Sequence, residues 1–241
     1  GSANELLIQD TSTRAPRFSV VVPTLEEAAN LPELWAALRA QGEPFQGIVS
    51  DGESRDGTAA LARELGAEVV RGPRGRGAQL ARGAARARGE LVLFLHADTR
   101  LAPGALTALA RAFEDPALVA SGMRQRIDHP ARFYRLVERA ADRRVRRGWV
   151  YGDSGLCVRR EALVRVGGVP ELALFEDLEL SRRLRGLGKI ALVSEAELVI
   201  SARRWERDGR IRRTLANWGL TVLWFLGVPP AALARAYRPM G

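Results

Sequence analysis

Three carboxylates and one arginine stand where chemistry could be done: Asp51, Asp98, Asp177 and Arg76. Asp98 follows the apolar run Leu91-Val92-Leu93-Phe94-Leu95 through His96-Ala97. That run is too short for a helix and reads as a strand buried on both faces. A carboxylate at the end of such a strand can hold Mg²⁺ or Mn²⁺, since hard cations take oxygen ligands, or it can cap the helix expected from about residue 103. Asp51 ends a second apolar stretch, Ile48-Val49-Ser50, and opens Asp51-Gly52-Glu53-Ser54-Arg55-Asp56-Gly57-Thr58. It can accept an N–H of a base or bond a ribose hydroxyl, or simply form a turn. Arg76 lies among small residues, Gly75, Gly77 and Ala78, so its guanidinium can approach a diphosphate and give charge-assisted contacts. Asp177 sits in Phe175-Glu176-Asp177-Leu178-Glu179. It can act as a general base at a helix start, or only match the helix dipole against Arg182, Arg183 and Arg185.

The elements that must position these groups alternate. Strands are expected at residues 18–22, 48–50, 68–70, 91–95 and 119–127. Helices are expected at 30–40, 58–65, 77–88, 103–113, 131–147 and 176–187. Strand, helix, strand in sequence implies a parallel sheet with right-handed crossovers. In such a sheet Pro23-Thr24, Glu26, Asp51, the Arg71–Arg76 loop and Asp98 share the carboxyl edge, where open α/β sheets bind nucleotides. The 131–147 helix is expected to lay Phe133, Leu136, Val137, Ala140 and Val145 along one side.

Composition bounds the alternatives. The 241 residues, 46% hydrophobic, are enough for one large α/β domain with a small appendage. The net charge of +9 is carried almost wholly by arginine, with Lys189 the single lysine, which points to compositional bias as much as to an anionic partner. Cys157 is the lone cysteine, in an apolar context, so an intrachain disulfide and a thiolate metal cluster are excluded. Gly1-Ser2 reads as a tag-cleavage remnant and residues 1–16 as a disordered tag and arm. No apolar signal segment is evident, which suggests a cytoplasmic protein. The Leu/Trp-rich run at 215–228, stopped by Pro229-Pro230, is shorter than a bilayer span. It reads as a core or homodimer contact, or as peripheral membrane contact at the inner face through Trp218 and Trp224 beside Arg210, Arg212 and Arg213.

The ordered set Val21-Val22-Pro23-Thr24-Leu25-Glu26-Glu27, Asp51–Thr58, Arg76-Gly77, His96-Ala97-Asp98-Thr99 and Phe175-Glu176-Asp177 resembles the family 2 glycosyltransferases of GT-A fold over residues 17–205. His96–Thr99 and Ser201-Ala202-Arg203-Arg204-Trp205-Glu206 resemble, more narrowly, a bacterial radical-SAM/selenium-domain-associated subgroup, some of it assigned to arsenosugar biosynthesis. The resemblance implies an α/β fold: a Rossmann-like, mostly parallel sheet flanked by helices over 17–205, with a C-terminal helical extension over 206–241. It implies an inverting, metal-assisted transferase using a nucleotide-sugar donor, UDP- or GDP-linked, and an unidentified acceptor hydroxyl. Pro23, Thr24, Glu26 and Asp51 would line the nucleoside pocket, and Arg76 would face the diphosphate. Asp98, with His96 in place of the family's usual first acid, would bind Mg²⁺ or Mn²⁺. Asp177 would be the base, and Arg204-Trp205 would lie near acceptor and diphosphate. A nucleotidyltransferase is the rival enzyme, although Pro23-Thr24-Leu25-Glu26 offers no phosphate loop after the first strand. A non-enzymatic binder of nucleic acid or anionic membrane is the other rival, although strand-end carboxylates would repel phosphates. Nucleic acid is therefore not an expected partner.

Overall fold

The computed structural model describes residues 16–201 and 219–236. The element order is β1 (Phe18–Thr24), α1 (Leu31–Arg39), β2 (Phe45–Asp51), α2 (Thr58–Glu64), β3 (Glu68–Arg71), α3 (Arg76–Ala84), β4 (Leu91–Phe94) and β5 (Arg100–Leu101). Then come α4 (Ala105–Ala112), β6 (Leu118–Asp128), α5 (Arg132–Arg146), β7 (Cys157–Arg159), α6 (Arg160–Arg165), α7 (Glu176–Leu184) and β8 (Lys189–Ser201). Residues 219–225 are helical, and a last helix covers Pro230–Ala236.

One sheet of eight strands runs in the order β3-β2-β1-β4-β7-β6-β8-β5. β3, β2, β1 and β4 are parallel, as the alternating pattern predicts. β7 lies antiparallel between β4 and β6, and β5 is antiparallel to β8. The core forms on both faces of this sheet. One side gathers Leu31, Leu34, Trp35, Leu38, Leu106 and Leu109 from α1 and α4 against β1 and β4. The other gathers Leu80, Val145, Leu180 and Leu184 from α3, α5 and α7. Cys157 is fully buried in this packing and burial pushes its thiol well up from its ordinary value, so it serves as a small hydrophobe.

The structure departs from the sequence expectations at several places, α6 and the earlier end of α7 at Leu184 among them. β5 intervenes between Asp98 and α4, whose N-cap is Gly104 (φ 77°), so neither Asp98 nor Thr99 caps that helix. α3 stops at Ala84 rather than near residue 88. The short β5 and the long β8, both absent from the sequence reading, complete the sheet. Finally, α5 buries Tyr134, Glu138, Ala141 and Val145, while Leu136 stands exposed. The buried face turns because Glu138 is satisfied inside: it accepts the Ile127 N–H (2.7 Å) and pairs with Arg135 (2.8 Å). A carboxylate so partnered can occupy a core position that periodicity assigns to an apolar side chain.

α3 reaches the sheet closely because of one glycine. A Cβ on Gly83 would stand 2.4 Å from Val21 Cγ1. Ala at this position gains helix propensity but forces α3 off β1. Gly83→Ala is expected to lower stability by about 1–3 kcal/mol, read from the urea midpoint; an unchanged midpoint would show that the helix can shift freely.

Candidate active site

Strand register places the first group of residues. Thr24 on β1 pairs with Asp51 on β2, and Asp51 pairs with Arg71 on β3, so three side chains stand abreast at the carboxyl edge. Asp51 is fully buried. Its Oδ1 accepts from the Thr24 hydroxyl (3.3 Å), and its Oδ2 accepts from the Ser54 N–H (3.1 Å) and from Arg71 Nε (3.0 Å). Burial pushes the carboxyl up, but the bonds from Ser54, Arg71 and Thr24 outweigh it and hold Asp51 below its ordinary value. Arg71, expected in the loop after the third strand, is the last residue of β3 and the cation that makes Asp51 tolerable.

Above this row the β1–α1 and β2–α2 loops are laced together. Ser54 Oγ accepts from Glu26 N–H, Thr58 Oγ1 from Glu27 N–H, and Asp56 from Ala28 N–H, all at 2.9–3.0 Å. Glu26 returns the bond, its Oε1 accepting from Arg55 N–H at 2.8 Å. Both Glu26 (φ 55°) and Glu53 (φ 67°) adopt left-handed backbone, a strain held by these bonds. Pro23 is half-buried beneath them. Gln79 of α3, absent from the sequence reading, ties the edge from below: its Nε2 donates to the Thr24 carbonyl (2.8 Å) and the Ser50 carbonyl (3.0 Å). The result is an open cavity of about 420 Å³ lined by Glu53, Ser54, Arg55, Arg71 and Gly72, within the size range of small-ligand sites.

A second group assembles around Arg76, the first residue of α3. Its Nη2 donates to Asp177 Oδ2 at 2.7 Å and its Nε pairs with Glu176. Asp177 Oδ2 also accepts the Gly152 N–H (2.7 Å), and Oδ1 accepts the Leu178 N–H (2.8 Å). The side chain of Arg76 is 41% exposed, whereas those of Glu176 and Asp177 are only 3% and 11% exposed. Burial pushes Glu176 above its ordinary value, against the pull of Arg76, and the charge on Asp177 adds to the rise.

Topology explains how such distant residues meet. β7 is antiparallel to β4, so the chain preceding β7, with Gly152, arrives at the edge where the parallel strands end. A Cβ on Gly152 would lie 2.8 Å from Arg76 Nη2. The 170–172 loop lies directly on the start of α3, where a Cβ on Gly77 would stand 2.6 Å from the Leu172 carbonyl. Phe175 then enters α7 at φ 63° and delivers Glu176 and Asp177 to Arg76.

Asp98 and His96 are both half-buried in the turn after β4, where Thr99 N–H closes on the His96 carbonyl at 3.1 Å. Among the described residues no group of three or more His, Cys, Asp or Glu side chains could hold a metal by itself. One carboxylate and one imidazole fit a cation that takes its other oxygens from a ligand. Arg204 and Trp205 lie outside the described residues. His129 accepts the Ala131 N–H on Nδ1 (3.0 Å) and packs on Tyr134, a structural role.

The sequence model of glycosyl transferase family 2 matches residues 19–171, well over half of the chain. The chain belongs to that family. Similar solved structures place the family 2 domain in the GT-A arrangement. A mannosyltransferase from Pyrobaculum calidifontis, in complex with GDP-Man and Mn²⁺, superposes with a TM-score of 0.62 at 23% identity, covering 81% of this chain and 61% of that one. Glucosyl-3-phosphoglycerate synthase from Mycobacterium tuberculosis, with Mn²⁺ and UDP, superposes at 0.56 and 22% identity, covering 77% and 71%. An uncharacterized glycosyltransferase of Mycobacterium bovis is 33% identical over 108 residues, 44% of this chain and 48% of that protein. The chain spans less than half the length of the curated relatives it matches.

The buried Asp51 carries a pH signature. Its carboxyl lies below its ordinary value of 3.8 when folded, so the stabilisation is present above that pH and is lost as pH falls through the folded value. Asp51→Asn is therefore expected to be destabilised at neutral pH, with the gap from the parent narrowing below about pH 3.8. Denaturant melts across pH check this, and a pH-independent gap would mean that ionisation of Asp51 contributes nothing.

Proposed function

We propose that this domain transfers a sugar, with inversion, from a nucleoside-diphosphate sugar to an acceptor hydroxyl. The observation that carries the reading is the carboxylate of Asp177. It is held by Arg76, the Gly152 N–H and the Leu178 N–H at the sheet edge that also bears the Asp51 cavity and Asp98. The nucleoside would enter the cavity lined by Glu53, Ser54, Arg55, Arg71 and Gly72, above Thr24 and Asp51. The diphosphate would run toward Arg76 and Asp98. Mg²⁺ or Mn²⁺ held by Asp98, with His96, would supply counter-charge to the departing diphosphate.

Asp177 takes the proton of the acceptor hydroxyl as its oxygen bonds to the anomeric carbon. The bond from that carbon to the diphosphate breaks on the opposite face, and the electron pair leaves with the nucleoside diphosphate. Arg76 would serve both ends of this displacement. Its guanidinium keeps Asp177 aimed through Nη2, and its exposed side remains able to meet the diphosphate. Glu176 keeps Arg76 in place through Nε, so the arginine need not swing to reach either partner. The narrower likeness to the radical-SAM-associated subgroup rests on His96–Thr99 and on residues 201–206; it suggests no acceptor by itself.

Asp177→Asn is expected to lower transfer by roughly 10²–10⁴-fold, the usual worth of a positioned base, while a nucleoside diphosphate still raises the melting midpoint. Near-parental transfer would remove Asp177 from the base role. A screen of UDP, GDP and their sugars should show a midpoint rise that is larger with Mn²⁺ and that loses its metal dependence in Asp98→Ala. No response to any nucleotide would sink the donor assignment.

A further inference from the structure

The helical residues 219–225 face two ways. Inward, Trp224 packs edge-on against Trp149 (5.8 Å between ring centroids) and lies 6.2 Å from Phe175. The Thr221 and Tyr151 hydroxyls share a hydrogen bond of 2.9 Å. Outward, Val222, Leu223, Phe225 and Leu226 are 57%, 42%, 53% and 74% exposed. Single exposed apolar residues are ordinary; four within five positions, on a segment already anchored by its other face, form a patch.

Cations stand beside this patch. The Arg185 guanidinium lies 4.6 Å from the ring centroid of Trp149, and Trp149 also packs on Phe225 at 4.9 Å. α5 ends three residues before Trp149, so the exposed Arg146 and Arg147 at its end lie next to Trp149 along the chain. We propose that the 222–226 face, flanked by the arginine-rich end of α5, docks on an anionic lipid surface.

Both components are needed for that partner and neither suits the others. Apolar side chains enter the headgroup boundary while arginines stay at the phosphates. A second copy of the chain would need on the order of 800 Å² on each side, far more than four side chains present. Nucleic acid would use the arginines and leave the aliphatic side chains in water. The segment lies on the surface rather than crossing: Pro229-Pro230 follow it, and among the described residues no helix is long and apolar enough to span a membrane. Tyr151 adjoins Gly152 and Phe175 adjoins Glu176, so the docked face would hold the candidate site at the bilayer surface. The docking itself does not depend on the transferase reading.

The test is flotation of the full chain with vesicles of phosphatidylglycerol and phosphatidylcholine, against pure phosphatidylcholine, at low and high salt. The chain is expected to float with the anionic vesicles, at least tenfold less with the zwitterionic ones, and to be released by salt. The double substitution Val222→Glu/Leu226→Glu should lower binding at least tenfold with an unchanged melting midpoint, and Arg146→Glu/Arg147→Glu should weaken it on anionic vesicles only. Absence of flotation, or flotation indifferent to the Val222/Leu226 substitution, overturns the proposal. So does a dimer in sedimentation velocity that this substitution dissociates while vesicles fail to bind. Nucleotide-induced midpoint shifts measured on the same variants report the donor site separately, so the two readings can fail independently.

Discussion

A guanidinium between two nearly buried carboxylates is the constraint around which the site is built. Glu176 and Asp177 are adjacent in sequence and largely out of water. Two such charges at a helix start would repel each other and lose hydration unless a cation and donors replaced it. Arg76 provides the cation, and the Gly152 and Leu178 N–H groups provide the donors. Chain segments at residues 76, 152 and 176–178 are thereby fixed relative to one another. The close approach requires glycine at 77 and 152, where a side chain would strike the Leu172 carbonyl or the Arg76 guanidinium.

The same economy appears at Asp51. Its burial is compensated by Thr24, Ser54 and Arg71, each supplied by the neighbouring strand end or the loop above it. The two laced loops then hold Glu26 and Glu53 in left-handed backbone. Rigidity of this kind suits a site that must present a preformed cleft to a ligand, because the ordering cost is met in folding and not at binding. The site therefore has a stiff side at Asp51 and a charged, part-exposed side at Arg76. The C-terminal helical residues close on the latter through Tyr151 and Phe175.

Much of the fold was legible in the chain. The apolar runs ending at Thr24, Asp51 and Phe94 are parallel strands, and their order along the sequence places their ends on one edge. The helix at 176–184 begins with its acids, as the dipole pattern predicts. Two things misled the reading of local pattern. Periodicity treats a buried carboxylate as a surface residue, so the buried face of α5 was misplaced around Glu138. Propensity also gives little weight to edge strands as short as β5, whose pairing is decided by a partner a hundred residues away.

What the sequence determined by itself is the set of strand-end side chains, because a period of two residues and a parallel crossover leave their placement little freedom. Its single cysteine also excluded an intrachain disulfide, and its ordered motifs pointed to the family. The tertiary structure alone decided the partners: that Arg71 neutralises Asp51, that Glu176 steadies Arg76, that Gln79 ties the edge from beneath, and that Gly152 reaches Asp177. The physical reason is that each of these is a long-range electrostatic or hydrogen-bond contact. Such contacts leave no periodic trace along the chain, and the antiparallel insertion of β7 that creates the last one is set by sheet pairing rather than by local propensity.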